Sequence, residues 1–237
     1  MAFIDILGFK SMLQTKPLNE IVELLDAIVR ADNCAGYEEI VKINTRLISD
    51  SFIIWAQLSD PKHVSAYFAY LGTIIARIHK IRNIITRGYI SNGNHFNSEK
   101  FWISQVFVEA FNGESKYSIH PRVILGPSAV DRINIISPDF IDSGLLKRDD
   151  DGFRFVNYMM CIDDAYQPKG NAIMVNLGGM GLEGSLLAHK ENIEHGLSHY
   201  KSYVHKYYWL ATYHNNFIKD FVNLSNKNDF LINLKSA

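Results

Sequence analysis

The chain has 237 residues, 47% hydrophobic and 21% charged, a globular composition that excludes a disordered or collagen-like chain. Lys+Arg is 24 and Asp+Glu is 25, a net charge of -1, so there is no general electrostatic pull toward nucleic acid or an anionic membrane. The two cysteines, Cys34 and Cys161, are too few for a disulfide scaffold and are expected as reduced thiols, and no apolar run approaches the roughly 18 residues of a membrane span.

In chain order, the opening MAFIDILGFK has no basic region, so no secretory signal is expected and a cytoplasmic location is the default. Residues 2–7 form an apolar run interrupted by Asp5 and closed by Gly8, which predicts a buried strand ending in a glycine turn. Residues 18–31 carry a helical apolar stripe behind Pro17. Residues 39–48 and 51–57 are β-rich and meet at Ser49-Asp50, the pattern of an antiparallel hairpin. A long helix is predicted over 61–81, a strand over 84–90 followed by the turn Ser91-Asn92-Gly93, a helix over 104–111 and a strand over 122–125.

This succession is that of an α+β sandwich of ferredoxin-like type, with an antiparallel-rich sheet, over residues 1–126. Residues 127–237 are expected as a mixed and helical C-terminal extension packed on that core or at a dimer interface. The extension begins with a charged turn at 147–152, strands at 153–162 and 172–176, and a glycine-rich loop. Two helices then cover 181–224. In the second, Tyr203, Tyr207, Leu210, His214, Phe217 and Phe221 recur at helical spacing.

Two acids stand out. Asp5 lies inside an apolar strand, where a carboxylate is costly unless paired or bound to a cation. Asp50 sits at the tip of a hairpin, a common place for Asp. At one edge of a sheet, two such carboxylates are what a pair of Mg²⁺ or Mn²⁺ ions needs to clamp a nucleoside triphosphate.

The stretch Phe3-Ile4-Asp5-Ile6-Leu7-Gly8-Phe9 and the hairpin tip Ser49-Asp50 resemble the class III nucleotidyl cyclase catalytic domain, with its F-x-D-I-x-G-F strand and Gly-Asp or Ser-Asp hairpin. The run 87–93 looks like that family's R-x-x-I-x-x-G strand. The likeness covers about residues 2–126. More narrowly, the FIDILGFK opening, the SDS hairpin, the RGYI strand and the tail Lys206-Tyr207-Tyr208-Trp209-Leu210-Ala211 are similar to the pyrimidine cyclases of bacterial Pycsar anti-phage systems.

The resemblance implies that Asp5, Asp50 and the Ile6 carbonyl hold two Mg²⁺ or Mn²⁺ ions, and that amides at Gly8 and Phe9 face the triphosphate. It puts Arg46 and Phe101 at the base-reading positions, where Arg46 can donate to cytosine or uracil and Phe101 can stack. The family's transition-state Asn and Arg fall on Val108 and Asn112, leaving Arg87 or Lys116 to supply the missing charge. The implied activity is conversion of CTP or UTP to the 3′,5′-cyclic monophosphate in a homodimer, as a defence signal. The readings left beside it are a degenerate cyclase-like domain that binds nucleotide or dimerises, and another two-metal nucleotidyltransferase.

Three other motifs carry less. Residues 179–184 match GxGxxG, but no acid follows at the spacing of a dinucleotide fold. His195 and His199 have i, i+4 spacing without an HExxH glutamate, and Gly126-Pro127-Ser128 lacks the GxSxG elbow.

Overall fold

The central strand β1 (Ala2–Ile6) is apolar on both faces apart from Asp5, and helices cover both of those faces. The computed structural model describes residues 1–31, 37, 39–81, 83–98, 100–162 and 181–234. Leading from β1 are α1 (Phe9–Thr15), α2 (Leu18–Ala31), the hairpin β2 (Ile43–Ile48) and β3 (Ser51–Ala56), α3 (Pro61–His79) and β4 (Thr86–Ile90). A small hairpin, β5 (His95–Asn97) and β6 (Trp102–Ser104), precedes α4 (Gln105–Tyr117), β7 (Val123–Leu125) and α5 (Pro127–Ile136). The chain then gives β8 (Leu146–Arg148), β9 (Arg154–Val156), α6 (Gly181–His199) and α7 (Val204–Phe221).

Seven strands form one sheet in the order β2-β3-β1-β4-β7-β9-β8, antiparallel except for the β4–β7 pair. The α+β expectation with an antiparallel-rich sheet therefore holds. The segment after residue 126 adds β8 and β9 to the same sheet. Phe3 packs edge-on against Phe107 and Phe111, so α4 covers the face that also carries Asp5. Thr86, opposite Ile6, bonds to His79 at the end of α3, so α3 covers the other face.

Some elements differ from the sequence reading. The helix expected over 104–111 continues to Tyr117, capped by Ser104, because Gly113 leaves room for the Tyr89 ring, 2.7 Å from where a Cβ would sit. The strand expected over 153–162 is only β9. The chain then turns at Asn157 into a 3-10 segment, Tyr158–Cys161, because Asn157 and Met159 are held there by the Tyr213 hydroxyl. The strand expected over 172–176, Cys34 and the first residues of the GxGxxG match lie outside the described residues. In the aromatic stripe of α7, Tyr207, Leu210, His214 and Phe217 are buried, as its spacing implies.

A continuous hydrogen-bonded chain crosses the core. The Thr86 amide donates to His79 Nε2 at 3.0 Å, and His79 Nδ1 lies 3.0 Å from the Tyr158 hydroxyl. That hydroxyl lies 2.9 Å from His189 Nε2, His189 Nδ1 is 2.9 Å from His214 Nδ1, and His214 Nε2 is 2.9 Å from the Phe230 carbonyl. An amide can only donate and a carbonyl only accept. Both ends therefore fix the same direction: each histidine is neutral, and every donor points toward Phe230. Burial holds the three histidines well toward the neutral form.

Candidate active site

Asp5 pairs with Ser51 on one side and Arg87 on the other, so one row across the sheet reads Ile48, Ser51, Asp5, Arg87. At the end of this row the hairpin turns through Ser49, whose φ of 57° is left-handed, and Asp50. The Ile6 amide donates to the Asp50 carbonyl at 2.9 Å, which ties the end of β1 to that turn. Gly8 then takes φ 83°, a conformation that strains other residues, and α1 starts at Phe9. The Phe9 side chain is buried, so only its main chain can serve a ligand.

The two acids expected together are therefore brought together, and a third joins them. Glu114, on the sheet-facing side of α4 beyond Phe107 and Phe111, is 3% exposed. Arg87 Nε lies 2.5 Å from Glu114 Oε1 and 3.7 Å from Asp5 Oδ2. The Arg87–Glu114 pair is close but not aligned as a hydrogen bond, so each atom lacks a directed partner. The longer contact to Asp5 is an ion pair only. Burial, then the Glu114 and Asp50 carboxylates, push the Asp5 carboxyl up to about 7, against the pull of Arg87. Burial also raises Glu114, with Arg87 opposing. Lys206, from the first turns of α7, is held down by burial and Arg87 and drawn up by Asp5 and Glu114.

Three carboxylates thus face two cations in a partly dry site, an excess of negative charge that a divalent cation would relieve. The donor set of Asp5, Asp50 and the Ile6 carbonyl is all hard oxygen, which suits Mg²⁺ or Mn²⁺. Among the described residues no three His, Cys, Asp or Glu side chains form a metal cage, so an ion here would rest on two carboxylates and main-chain oxygen.

Other expected residues lie elsewhere. Arg46 is exposed one row along the sheet, with its guanidinium 5.6 Å above the Trp102 ring. The aromatic beneath it is thus Trp102, while Phe101, at the next position, is 62% exposed. Val108 and Asn112 lie on the solvent side of α4, away from Asp5 in the same chain. Arg87 joins the acids. Lys116 is exposed, 4.9 Å over Tyr117. His195 and His199 stack at 4.0 Å, with His199 Nδ1 bonded to the His195 carbonyl. Ser128 is a structural hydroxyl, donating to Glu109 and accepting from the Asn92 amide. A cavity of about 800 Å³ opens near the start of β1, lined by Lys42, Asn44, Trp55, His95 and Arg132 and without either acid.

Sequence reasoning missed Glu114 and Lys206. The signal for Glu114 was present, as an acid continuing the apolar spacing Phe107, Phe111 of an amphipathic helix. Lys206 stood in the tail 206–211 that carries part of the resemblance but was given no role there, since no local pattern says what α7 packs against.

No family model matches the sequence, and no curated protein matches it. Among solved structures, the chain is similar to the guanylate cyclase domain of RhGC from Catenaria anguillulae in complex with GTP. The identity is 14% and the TM-score 0.46, covering 65% of this chain and 93% of that one. No helix among the described residues is long and apolar enough to cross a membrane.

Proposed function

We propose that the chain is a nucleotidyl cyclase that converts a pyrimidine nucleoside triphosphate, CTP or UTP, to its 3′,5′-cyclic monophosphate and pyrophosphate. The observation that carries this reading is the convergence of Asp5 and Asp50 at one end of neighbouring strands, beside the Gly8 turn, within the motif that resembles class III cyclases. In the reaction the ribose 3′-oxygen bonds to the α-phosphorus. The bond from that phosphorus to the bridging oxygen breaks, pyrophosphate leaves with the electron pair, and the 3′-hydroxyl proton passes to solvent. Asp5, Asp50 and the Ile6 carbonyl would hold the divalent ions. When bound, these neutralise the triphosphate and acidify the 3′-hydroxyl. Arg87 balances Asp5 and Glu114 until the substrate arrives.

The active form is proposed to be a homodimer. Phe101, Val108 and Asn112 are exposed, and Phe96, Ile103 and Phe111 leave further apolar surface on the same hairpin and helix. These residues would then serve the partner's site, which light scattering tests: a monomer with full turnover refutes it. The pyrimidine preference rests on Arg46, a fork of donors steadied over Trp102. A role in anti-phage signalling rests on the resemblance alone.

A second reading, a nucleotide-binding domain without turnover, is favoured by Arg87, whose contacts to Asp5 and Glu114 occupy the place of a cation. One experiment separates the two. The protein is incubated with each of the four nucleoside triphosphates and Mn²⁺, alongside Asp5→Ala, Asp50→Ala and Arg46→Ala. Cyclic CMP or cyclic UMP, lost in both Asp variants and with its base preference lost in Arg46→Ala, is expected. Binding without product supports the second reading, and linear oligomers would show a nucleotidyltransferase instead.

A further inference from the structure

Apart from Lys206, the groups placed at the site come from β1, the β2–β3 hairpin, β4 and α4. Yet Tyr203, the residue before α7, brings its hydroxyl 3.4 Å from where a Cβ on Gly8 would sit, so the start of α7 lies against the turn that ends β1. Lys206 follows one turn on, half-buried, within electrostatic reach of Asp5, Glu114 and Arg87. The helix cannot rotate freely there. Trp209, three residues further, donates to Asp149 Oδ2 at 3.0 Å and stacks on His120. Among the described residues, the Lys206 ammonium has no hydrogen-bond acceptor or acid at bonding distance.

A half-buried lysine gives up hydration and side-chain freedom, and these losses are normally offset by a partner. Here the nearby acids are already engaged by Arg87 or would be engaged by divalent ions. The charge is therefore available to an anion entering beside Gly8.

We infer that Lys206 binds the polyphosphate of the substrate in the site of its own subunit. The inference rests on the cyclase reading and deepens it, because it gives the C-terminal helix a substrate-contacting residue. An ammonium is a compact, rotatable donor suited to phosphate oxygens. At this position it also faces the charge that accumulates on pyrophosphate as it leaves, the role for which Lys116 was a candidate in the sequence.

The test titrates inorganic tripolyphosphate into the full chain, with and without Mn²⁺, for the wild type, Lys206→Met, Lys206→Gln and Lys206→Arg. On the same preparations kcat and KM are measured with CTP and UTP. Lys206→Met and Lys206→Gln should weaken tripolyphosphate binding and lower kcat/KM roughly 10- to 100-fold, the value of a charged hydrogen bond, with Lys206→Arg recovering most of both. Unchanged tripolyphosphate binding in both neutral variants overturns the assignment, whatever happens to turnover, and leaves the cyclase reading standing. A wild type that makes no cyclic nucleotide but binds tripolyphosphate through Lys206 supports the assignment and overturns the cyclase reading.

Discussion

Removing one oxygen from the middle of the buried chain tests whether it is continuous and dry. In Tyr158→Phe the ring stays and only the hydroxyl goes, so packing volume barely changes. Two hydrogen bonds are lost, those of 3.0 Å to His79 and 2.9 Å to His189. Tyr158, His79 and His189 are all 0% exposed, so water has no ready path to the orphaned atoms. The rings cannot turn to find new partners. His79 Nε2 is committed to the Thr86 amide, and His189 Nδ1 to His214. One donor and one acceptor are thus left unsatisfied in the core. At about 1–3 kcal/mol for each stranded group, the loss should be about 2–6 kcal/mol. That is a large part of a typical stability of about 5–15 kcal/mol. Urea denaturation followed by the fluorescence of Trp55, Trp102 and Trp209 measures it. A loss below about 0.5 kcal/mol would refute the dry, single-direction chain.

The same histidines set a pH dependence. His79, held down to about 3, and His214, held down to about 4, stay neutral when folded, while the unfolded chain protonates them below about 6.5, so each withdraws about 2 kcal/mol of stability between pH 8 and pH 5. Asp5, pushed up to about 7, and Glu114, also raised, act in the opposite sense, because the folded state takes their protons first and gains stability as pH falls. The histidine effect is therefore read in an Asp5→Asn, Glu114→Gln double variant, where a flat denaturation profile from pH 8 to pH 5 would count against it. At the α6–α7 contact, a Cβ on Gly196 would lie 2.0 Å from the Tyr207 ring, so Gly196→Ala should force the helices apart and cost about 1–3 kcal/mol. A wild-type melting temperature in that variant would show that the two helices are not packed there.

Local signals carried the fold as far as they reached. Continuous apolar character marked β1, β-rich runs around Ser49-Asp50 marked the hairpin, and helical spacing marked α2, α3 and α7. The short pieces escaped, among them α1, α5 and the β5–β6 hairpin, because helices of seven and ten residues and three-residue strands are too brief to show a clear period. At the site, Asp5 and Asp50 were legible because each breaks a local rule or fits a motif. Arg87 was legible as a candidate only, since its partner depends on which strand lies beside β4. Phe101 was named from the resemblance where Trp102 lies under Arg46, because a match of motifs cannot register a hairpin too short to be detected.

Lys206 is 201 positions from Asp5 in the chain, so its place at the site depends on everything that fixes α7. Two structures do so from opposite sides. On one, His214 joins α7 through His189 and Tyr158 to His79 and Thr86, the neighbour of Arg87 on β4. On the other, Arg122, fully buried against Asp149 and Asp151 and lying over Phe155 and Trp209, ties α7 to β7 and to the charged turn between β8 and β9. Taking Arg122 from water is costly, and these two acids with the aromatic rings hold it in one arrangement. A lysine on a freely pivoting helix would cover the site only part of the time and would lose that fraction of its binding free energy to ordering. Anchored at His214 and Trp209, with Tyr203 against Gly8, Lys206 has its position set before any ligand arrives. That is why the buried chain far from the acids matters to the chemistry proposed at them.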